Sequence, residues 1–143
     1  MINQVRHTGI VVQNIKNVEK FYCSLGFIKS DQSFEEGSFI DNVVGLQNTK
    51  IEWVKLIAPD GYKIELLQYH THSEKKKITK QKSNLLGCSH LAFGVDNIDK
   101  VCDQIIKNGG SIVNTPALND LKNAKVAYCH DNEGNLLEIV EIL

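Results

Sequence analysis

The sequence predicts an α+β fold made of two tandem βαβββ modules, and three observations lead to this prediction. First, residues 6–27 resemble residues 89–110 at one constant offset, and residues 59–67 resemble residues 132–140. Second, each copy begins with alternating, β-rich residues that are followed by apolar residues at helical spacing. Third, three further extended segments follow the helix in each copy. Equivalent residues are therefore expected at equivalent places in the two copies.

The first strand of each module is predicted from the alternation of its side chains. Residues 5–12 alternate, which places His7 and Gly9 on one face of the strand. The matching strand places His90 and Ala92 on one face in the same way. Because the next side chain on the face of each histidine is very small, we expect a hollow beside each imidazole.

Each first strand leads into a helix that begins after an asparagine and ends at a glycine. Asn14 and Asn97 suit the N-cap position, and Gly26 and Gly109 suit the left-handed position that ends a helix. The turn sequences PDG and DNEG separate the last two strands of the modules. The remaining strands are predicted around 27–31, 50–58, 62–69, 111–114, 124–130 and 135–142, with longer loops at 32–49 and 115–123.

The 143 residues fit one combined domain. The whole chain has a mass of 16.0 kDa, so neither half could bury enough apolar surface alone. We place the first module at residues 1–70, a linker at 71–86 and the second module at 87–143. The linker contains the basic run Lys75–Lys77, which lacks apolar periodicity and is predicted to be solvated.

The composition is that of an ordinary globular protein. Hydrophobic residues make up 42% of the chain, charged residues make up 23%, and the net charge is -1. This charge provides no basic field for a nucleic-acid backbone, so no nucleic-acid partner is expected. Because the apolar runs are short and no leader precedes the first strand, we expect a cytoplasmic protein without a membrane partner. Without a CxxC pair, four cysteines are interpreted as reduced core residues: Cys23, Cys88, Cys102 and Cys129.

Four residues at equivalent places of the two copies form a candidate metal site. His7 and His90 open the copies, and Glu65 and Glu138 lie in the last strands. Two imidazoles and two carboxylates suit nickel, cobalt, manganese, iron or zinc, so one divalent metal ion is expected as a cofactor. An octahedral ion would keep two positions for a small-molecule substrate with adjacent oxygens. The C–H beside those oxygens would become acidic, because the ion stabilises the chelated enediolate.

Proton transfer also requires a base close to the substrate carbon. A glutamate that loosens from the ion could serve as the catalytic base, and we expect Glu138 first and Glu65 second. The remaining histidines, His70, His72 and His130, are interpreted as surface residues rather than ligands.

Four sequence blocks resemble the vicinal oxygen chelate superfamily, which includes glyoxalases, bleomycin resistance proteins and dioxygenases. The blocks are HTGIVVQNIKNVEKFYCSLGF, APDGYKIELLQY, SHLAFGVDNIDKVCDQIIKNGG and DNEGNLLEIVEIL. The resemblance implies two βαβββ modules that form incomplete barrels around a central cleft holding a divalent metal. It implies that His7, Glu65, His90 and Glu138 are the ligands, the set found in bacterial glyoxalase I, and that the protein is a homodimer. The sequence leaves open whether the site forms within one chain or between two.

Two positions differ from the glyoxalase I pattern. These enzymes tend to carry an arginine shortly after the first ligand and an asparagine shortly after the second, and both help to hold glutathione. This chain has Val11 and Tyr69 at those positions. A glutathione adduct is therefore disfavoured as the substrate, because a charge-assisted contact to its carboxylate is lost. Together with Trp53, these residues predict a more apolar cleft, unless Trp53 belongs to the core.

The leading hypothesis is a divalent-metal-dependent isomerase or lyase of the glyoxalase type that acts on a small vicinal-oxygen substrate. A methylmalonyl-CoA-type epimerase is the alternative among enzymes, because such epimerases are similar in module order. A non-catalytic protein that binds a drug or metabolite is the alternative from another class. Ring-cleaving dioxygenases are disfavoured, because they typically use two histidines and one glutamate.

Overall fold

The computed structural model describes residues 1–74 and 78–143, so the basic run Lys75–Lys77 lies outside the described residues. The chain forms two compact units, Met1–Lys76 and Lys77–Leu143. Each unit contains one mixed sheet and the predicted βαβββ order with one additional short element, which confirms the predicted α+β fold class. No helix in the described residues is long and apolar enough to cross a membrane.

The first unit is built on a four-stranded sheet. It contains β1 (Thr8–Val11), α1 (Ile15–Ser24), β2 (Ile28–Glu36), α2 (Ser38–Val44), β3 (Lys50–Ile57) and β4 (Lys63–Tyr69). The strands are hydrogen-bonded in the order β1-β4-β3-β2. β1 runs parallel to β4, and the other neighbouring strands are antiparallel.

The second unit repeats this order on a five-stranded sheet. It contains β5 (Leu91–Gly94), α3 (Ile98–Lys107), β6 (Ser111–Ile112), β7 (Ala117–Leu118), β8 (Ala124–His130) and β9 (Leu136–Ile142). β5 runs parallel to β9, and β9 is antiparallel to β8. Both β6 and β7 pair with β8 in the antiparallel direction.

Two segments that were predicted as loops contain regular structure. In the segment 32–49, β2 continues beyond its predicted end and α2 follows. Asp41 holds the chain after this helix, because its carboxylate accepts the backbone N–H groups of Asn48 and Thr49 at 2.9 and 2.7 Å. The hydrogen bond from the Thr49 backbone is the main reason that the pKa of Asp41 is lowered. In the segment 115–123, β7 adds a short strand to β8.

The helices α1 and α3 begin in the same way. Asn14 and Asn97 cap them, because each side-chain oxygen accepts the backbone N–H of the residue three positions later. The first backbone N–H of each helix donates to a side chain of the last strand. The acceptor is Gln68 in the first unit and Glu141 in the second, at 2.8 and 3.0 Å. The strand that carries the predicted glutamate ligand is thereby tied to the start of the helix.

Each of these helices covers one face of its sheet. α1 packs against β3 and β4, and α3 packs against β8, β6 and β9. In β4, Ile64 and Leu66 are fully buried, and in β9 Leu137 and Ile139 are fully buried. Since alternate residues of a strand face opposite sides, the intervening glutamates face away from the helices.

His130 is buried, so its predicted place on the surface is wrong. Its Nε2 atom lies 2.8 Å from the carbonyl oxygen of Gln81. The backbone N–H of Gln81 also donates to the carbonyl oxygen of Gly134 at 2.9 Å. Part of the predicted linker is thus bound to the second unit and covers His130, a contact that strand periodicity does not reveal.

The cysteines follow the prediction only in part. All four are free thiols, but Cys23 and Cys88 are exposed, whereas Cys102 and Cys129 lie in the core. Burial raises the pKa of Cys129 to about 12. This thiol therefore stays protonated at neutral pH and is a core residue rather than a nucleophile.

The equivalent turn glycines Gly61 and Gly134 should differ in their tolerance of alanine. Both have positive φ angles, 88° and 84°, so alanine should cost each about 1 kcal/mol. A Cβ at Gly134 would lie only 2.6 Å from the carbonyl oxygen of Thr79, while a Cβ at Gly61 meets nothing within 4 Å. Because the clash adds a packing cost, we expect Gly134→Ala to lower the free energy of unfolding by about 3 kcal/mol. Urea unfolding followed by circular dichroism measures both variants, and equal losses would contradict the clash.

Candidate metal centre

The first unit brings His7 and Glu65 together. His7 immediately precedes β1, and Glu65 lies in β4 opposite Gly9 in the parallel register. The Nε2 atom of His7 lies 3.0 Å from Oε2 of Glu65, and the side chains are 30% and 13% exposed. Because the neighbours of Glu65 in β4 face α1, this pair stands on the opposite face of the sheet.

The second unit brings His90 and Glu138 together at the equivalent place. His90 precedes β5, and Glu138 lies opposite Ala92 in the parallel register. The Nε2 atom of His90 lies 3.3 Å from Oε2 of Glu138. On the other side of the ring, Nδ1 of His90 lies 2.8 Å from the Ser89 hydroxyl, which helps to fix the ring orientation. The ring of Tyr128 meets that of His90 edge to face at 5.2 Å.

The two pairs fit a divalent metal ion in chemistry and spacing. Two ligand atoms about 2.1 Å from one ion and at right angles around it are about 3.0 Å apart. The measured separations of 3.0 and 3.3 Å are close to this value. Within either unit, the described residues contain no group of three or more His, Cys, Asp or Glu side chains that could hold an ion. Since protein metal sites generally use three or four side chains, each pair alone is smaller than a usual ligand set.

A third His–Glu pair shows that proximity alone does not identify ligands. The Nε2 atom of His70 lies 3.3 Å from Oε2 of Glu52, and the His70 ring also lies beside Phe34. The positions equivalent to Glu52 and His70 hold Lys125 and Leu143, so the second unit has no such pair. His70 and His72 are both exposed, as predicted.

The face of the first sheet that carries His7 and Glu65 also holds a lysine that the sequence analysis missed. Lys55 lies opposite Glu65 in the register of β3 and β4, and its Nζ atom is 3.4 Å from Oε1 of Glu65. The same ammonium lies over the ring of Trp53, 4.1 Å from its centroid. The indole N–H of Trp53 donates to Oε1 of Glu35 at 2.6 Å. A signal was present, because Lys55 and Glu65 lie equally far from the centre of the PDG turn.

The family of the chain follows from a comparison of its whole length with known proteins. The family model described as "Glyoxalase/Bleomycin resistance protein/Dioxygenase superfamily" matches residues 4–139. The chain belongs to this superfamily. A probable lactoylglutathione lyase of a Synechocystis species is 26% identical over 141 residues, which cover 94% of this chain and 92% of the relative.

Solved structures from the superfamily have the same fold. A glyoxalase family protein from Bacillus cereus has a TM-score of 0.92 at 24% identity and covers 100% of this chain and 96% of that protein. A fosfomycin resistance protein from Listeria monocytogenes has a TM-score of 0.63 at 13% identity, with 97% and 90% of the two chains covered. That structure contains Mn(II) and 1S,2S-dihydroxypropylphosphonic acid. These likenesses confirm the two-module fold of the superfamily.

In this superfamily member, the sheet face around the first pair combines apolar and charged groups. Val11 is 64% exposed and lies opposite Leu67 in the register of β1 and β4. Trp53 is only partly buried, and it lies on the face with Glu65 rather than in the core beneath α1. The hollow predicted beside His7 is partly filled, because a Cβ built on Gly9 would lie 3.2 Å from the side chain of Leu67.

Proposed function

We propose that the protein is a divalent-metal-dependent isomerase or lyase of the glyoxalase type, acting on a small substrate with two adjacent oxygens. The observation that carries this proposal is the repetition of one His–Glu pair, at 3.0 and 3.3 Å, at the equivalent place of both units. The superfamily contains metal-dependent enzymes, and the Listeria relative was solved with Mn(II) and a vicinal diol. The lactoylglutathione lyase name of the Synechocystis relative supports the same class of reaction.

The residues that would hold the metal are His7, Glu65, His90 and Glu138. A bound divalent ion would supply a Lewis acid that chelates the two substrate oxygens and makes the neighbouring C–H more acidic. Nickel, cobalt, manganese, iron and zinc all suit two imidazoles and two carboxylates. A homodimer and a cytoplasmic location belong to the same proposal.

The contacts of the two glutamates favour Glu138 as the base. Glu65 is 13% exposed and is held by His7 through one oxygen and by Lys55 through the other. Glu138 is 24% exposed, and its ion-pair contact is with His90. A carboxylate that must take a proton from carbon and return it at another position needs freedom to move. Glu138 has more of that freedom, and Glu65 is the second candidate.

Each unit presents a carboxylate, which also suits an epimerase that removes a proton from one face of a carbon and returns it to the other. A methylmalonyl-CoA-type epimerase therefore remains the second candidate function. Glutathione is disfavoured as part of the substrate, because Val11 provides an exposed apolar side chain where glyoxalase I enzymes tend to place an arginine. A binding protein without catalysis is separated from both enzymes by the proton-exchange measurement below.

Removing one histidine of a repeated pair should abolish tight metal binding. We expect the protein, purified without chelators, to contain a divalent ion, and His7→Ala to weaken Zn²⁺ affinity at least about 100-fold. His70→Ala is the matched control, because it removes an exposed His–Glu pair of similar geometry that has no repeat counterpart. Elemental analysis and calorimetric titration measure both variants. Equal Zn²⁺ affinity in the wild-type protein and His7→Ala would refute the site.

A second prediction concerns the base. Wild-type protein should exchange a carbon-bound proton for solvent deuterium in the hemithioacetal of methylglyoxal with a small thiol, measured by NMR. Glu138→Gln should keep a bound metal but slow the exchange about 100-fold or more, because the amide cannot accept the proton. Exchange in methylmalonyl-CoA instead would identify the epimerase. A metal-loaded Glu138→Gln variant with full exchange would remove Glu138 from this role, and no exchange in either compound would favour the binding protein.

Mixing two variants that each lack one proposed histidine ligand distinguishes a metal site formed between two chains from one formed within a single chain. If the pairs combine between two chains, a heterodimer of His7→Ala and His90→Ala contains one site with all four ligands. A refolded equimolar mixture would then regain about one quarter of the wild-type metal sites. If the pairs combine within one chain, the mixture regains none. Metal content after gel filtration gives the answer.

A further inference from the structure

We propose that Lys55 binds an anionic group of the substrate, so that the preferred substrate carries a phosphate or a carboxylate beside its two chelating oxygens. This substrate class rests on the proposed metal centre and adds a specificity-determining residue to it. Four observations carry the inference: the position of Lys55, its support by Trp53, the charges around it, and the lack of an equivalent lysine in the second unit.

Lys55 stands next to a proposed ligand and on the same face of the sheet. The antiparallel register of β3 and β4 places Lys55 directly opposite Glu65. Its Nζ atom lies 3.4 Å from Oε1 of Glu65, while Oε2 of the same carboxylate faces His7. The side chain of Lys55 is 24% exposed. The ammonium is therefore beside the proposed centre, and it is still reachable from solvent.

Trp53 holds the lysine in place. The ammonium lies 4.1 Å from the centroid of the indole ring, which gives a cation–π contact. The ring itself is fixed, because its N–H donates to Glu35 at 2.6 Å. A lysine side chain normally loses much rotamer freedom when it binds a ligand, and this support reduces that loss.

The charges around Lys55 favour an anion when a metal is bound. Two glutamates neutralise a divalent ion, so the carboxylate of Glu65 no longer compensates the ammonium in full. Asp31 stands opposite Lys55 in the register of β2 and β3, but the ion pair of Lys55 in the described residues is with Glu65, and Glu35 accepts the indole N–H. A partly buried charge without a full counter-ion is unfavourable. An anionic substrate group would provide the missing charge.

The second unit lacks this arrangement. The positions equivalent to Lys55 and Trp53 hold Tyr128 and Val126. Lys125 is the nearest lysine in sequence, but it pairs with Asp99 and belongs to the other face of its strand. The cation thus belongs to the first member of the repeat, and a substrate with one anionic end would have one preferred orientation.

The test compares probes that share an α-hydroxyketone and differ in charge. Dihydroxyacetone is neutral, dihydroxyacetone phosphate carries a phosphate, and hydroxypyruvate carries a carboxylate. Binding to the Zn²⁺-loaded protein is followed by calorimetry and by the fluorescence of Trp53, the single tryptophan of the chain. We expect at least one anionic probe to bind at least tenfold more tightly than dihydroxyacetone. The arm that shows this preference identifies phosphate or carboxylate as the source of the charge.

Three variants assign the preference to Lys55. Lys55→Gln should remove at least tenfold of the anion preference, whereas Lys55→Arg should retain most of it because the charge remains. Lys50→Gln is the matched control, because Lys50 lies on the same strand and pairs with the exposed Glu36. An unchanged preference in Lys55→Gln, or no preference in the wild-type protein, overturns the role of Lys55 while Zn²⁺ binding stays intact. If the wild-type protein shows no Zn²⁺ binding that depends on His7, this result instead overturns the metal centre, and with it the inference.

Discussion

The packing of one helix against one face of each sheet decides where the polar residues of the last strand can lie. In β4, Ile64 and Leu66 are buried beneath α1, so the residue between them must face the other way. Glu65 is that residue, and the parallel pairing with β1 places it opposite Gly9, close to His7. The same constraint acts on Glu138 in the second unit. A shift of register by one residue would bury the carboxylate and expose the core, so fold and site depend on the same packing.

The hairpin turns set a second constraint, because they decide which residue stands opposite each glutamate. In the first unit, the backbone N–H of Ala58 donates to the carbonyl oxygen of Tyr62 at 2.8 Å, and this turn fixes the register that pairs β3 with β4. The equivalent turn of the second unit fixes β8 against β9. Equivalent backbones thus present different neighbours, Lys55 beside Glu65 and Tyr128 beside Glu138. The duplicated framework keeps the His–Glu pairs alike and allows the surroundings of each pair to differ.

The sequence could predict the features that depend on local periodicity. The sequence repeat placed Glu65 and Glu138 in the last strand of each unit, where they are found, and the asparagine caps of both helices are present as expected. Features that depend on tertiary contacts were missed. α2 is held by Asp41, whose partners come from the chain beyond the helix, and His130 is covered by Gln81 from the predicted linker. Lys55 was missed for a different reason: periodicity predicts its strand, but only the pairing of β3 with β4 places it beside Glu65.

The two oxygens of Glu65 have different partners, so one carboxylate could bind both the proposed metal and Lys55. Oε2 faces His7 and Oε1 faces Lys55. The proposed metal and the Lys55 ammonium would therefore bind at different oxygens of the carboxylate. A carboxylate held at both oxygens moves less readily, because movement away from either partner breaks a charge-assisted contact. Glu138 faces His90 through one oxygen, and its cross-strand neighbour is Tyr128 rather than a lysine. The asymmetry that gives the first unit a cation therefore also holds Glu65 at both oxygens, which supports the proposed division between a ligand, Glu65, and a base, Glu138.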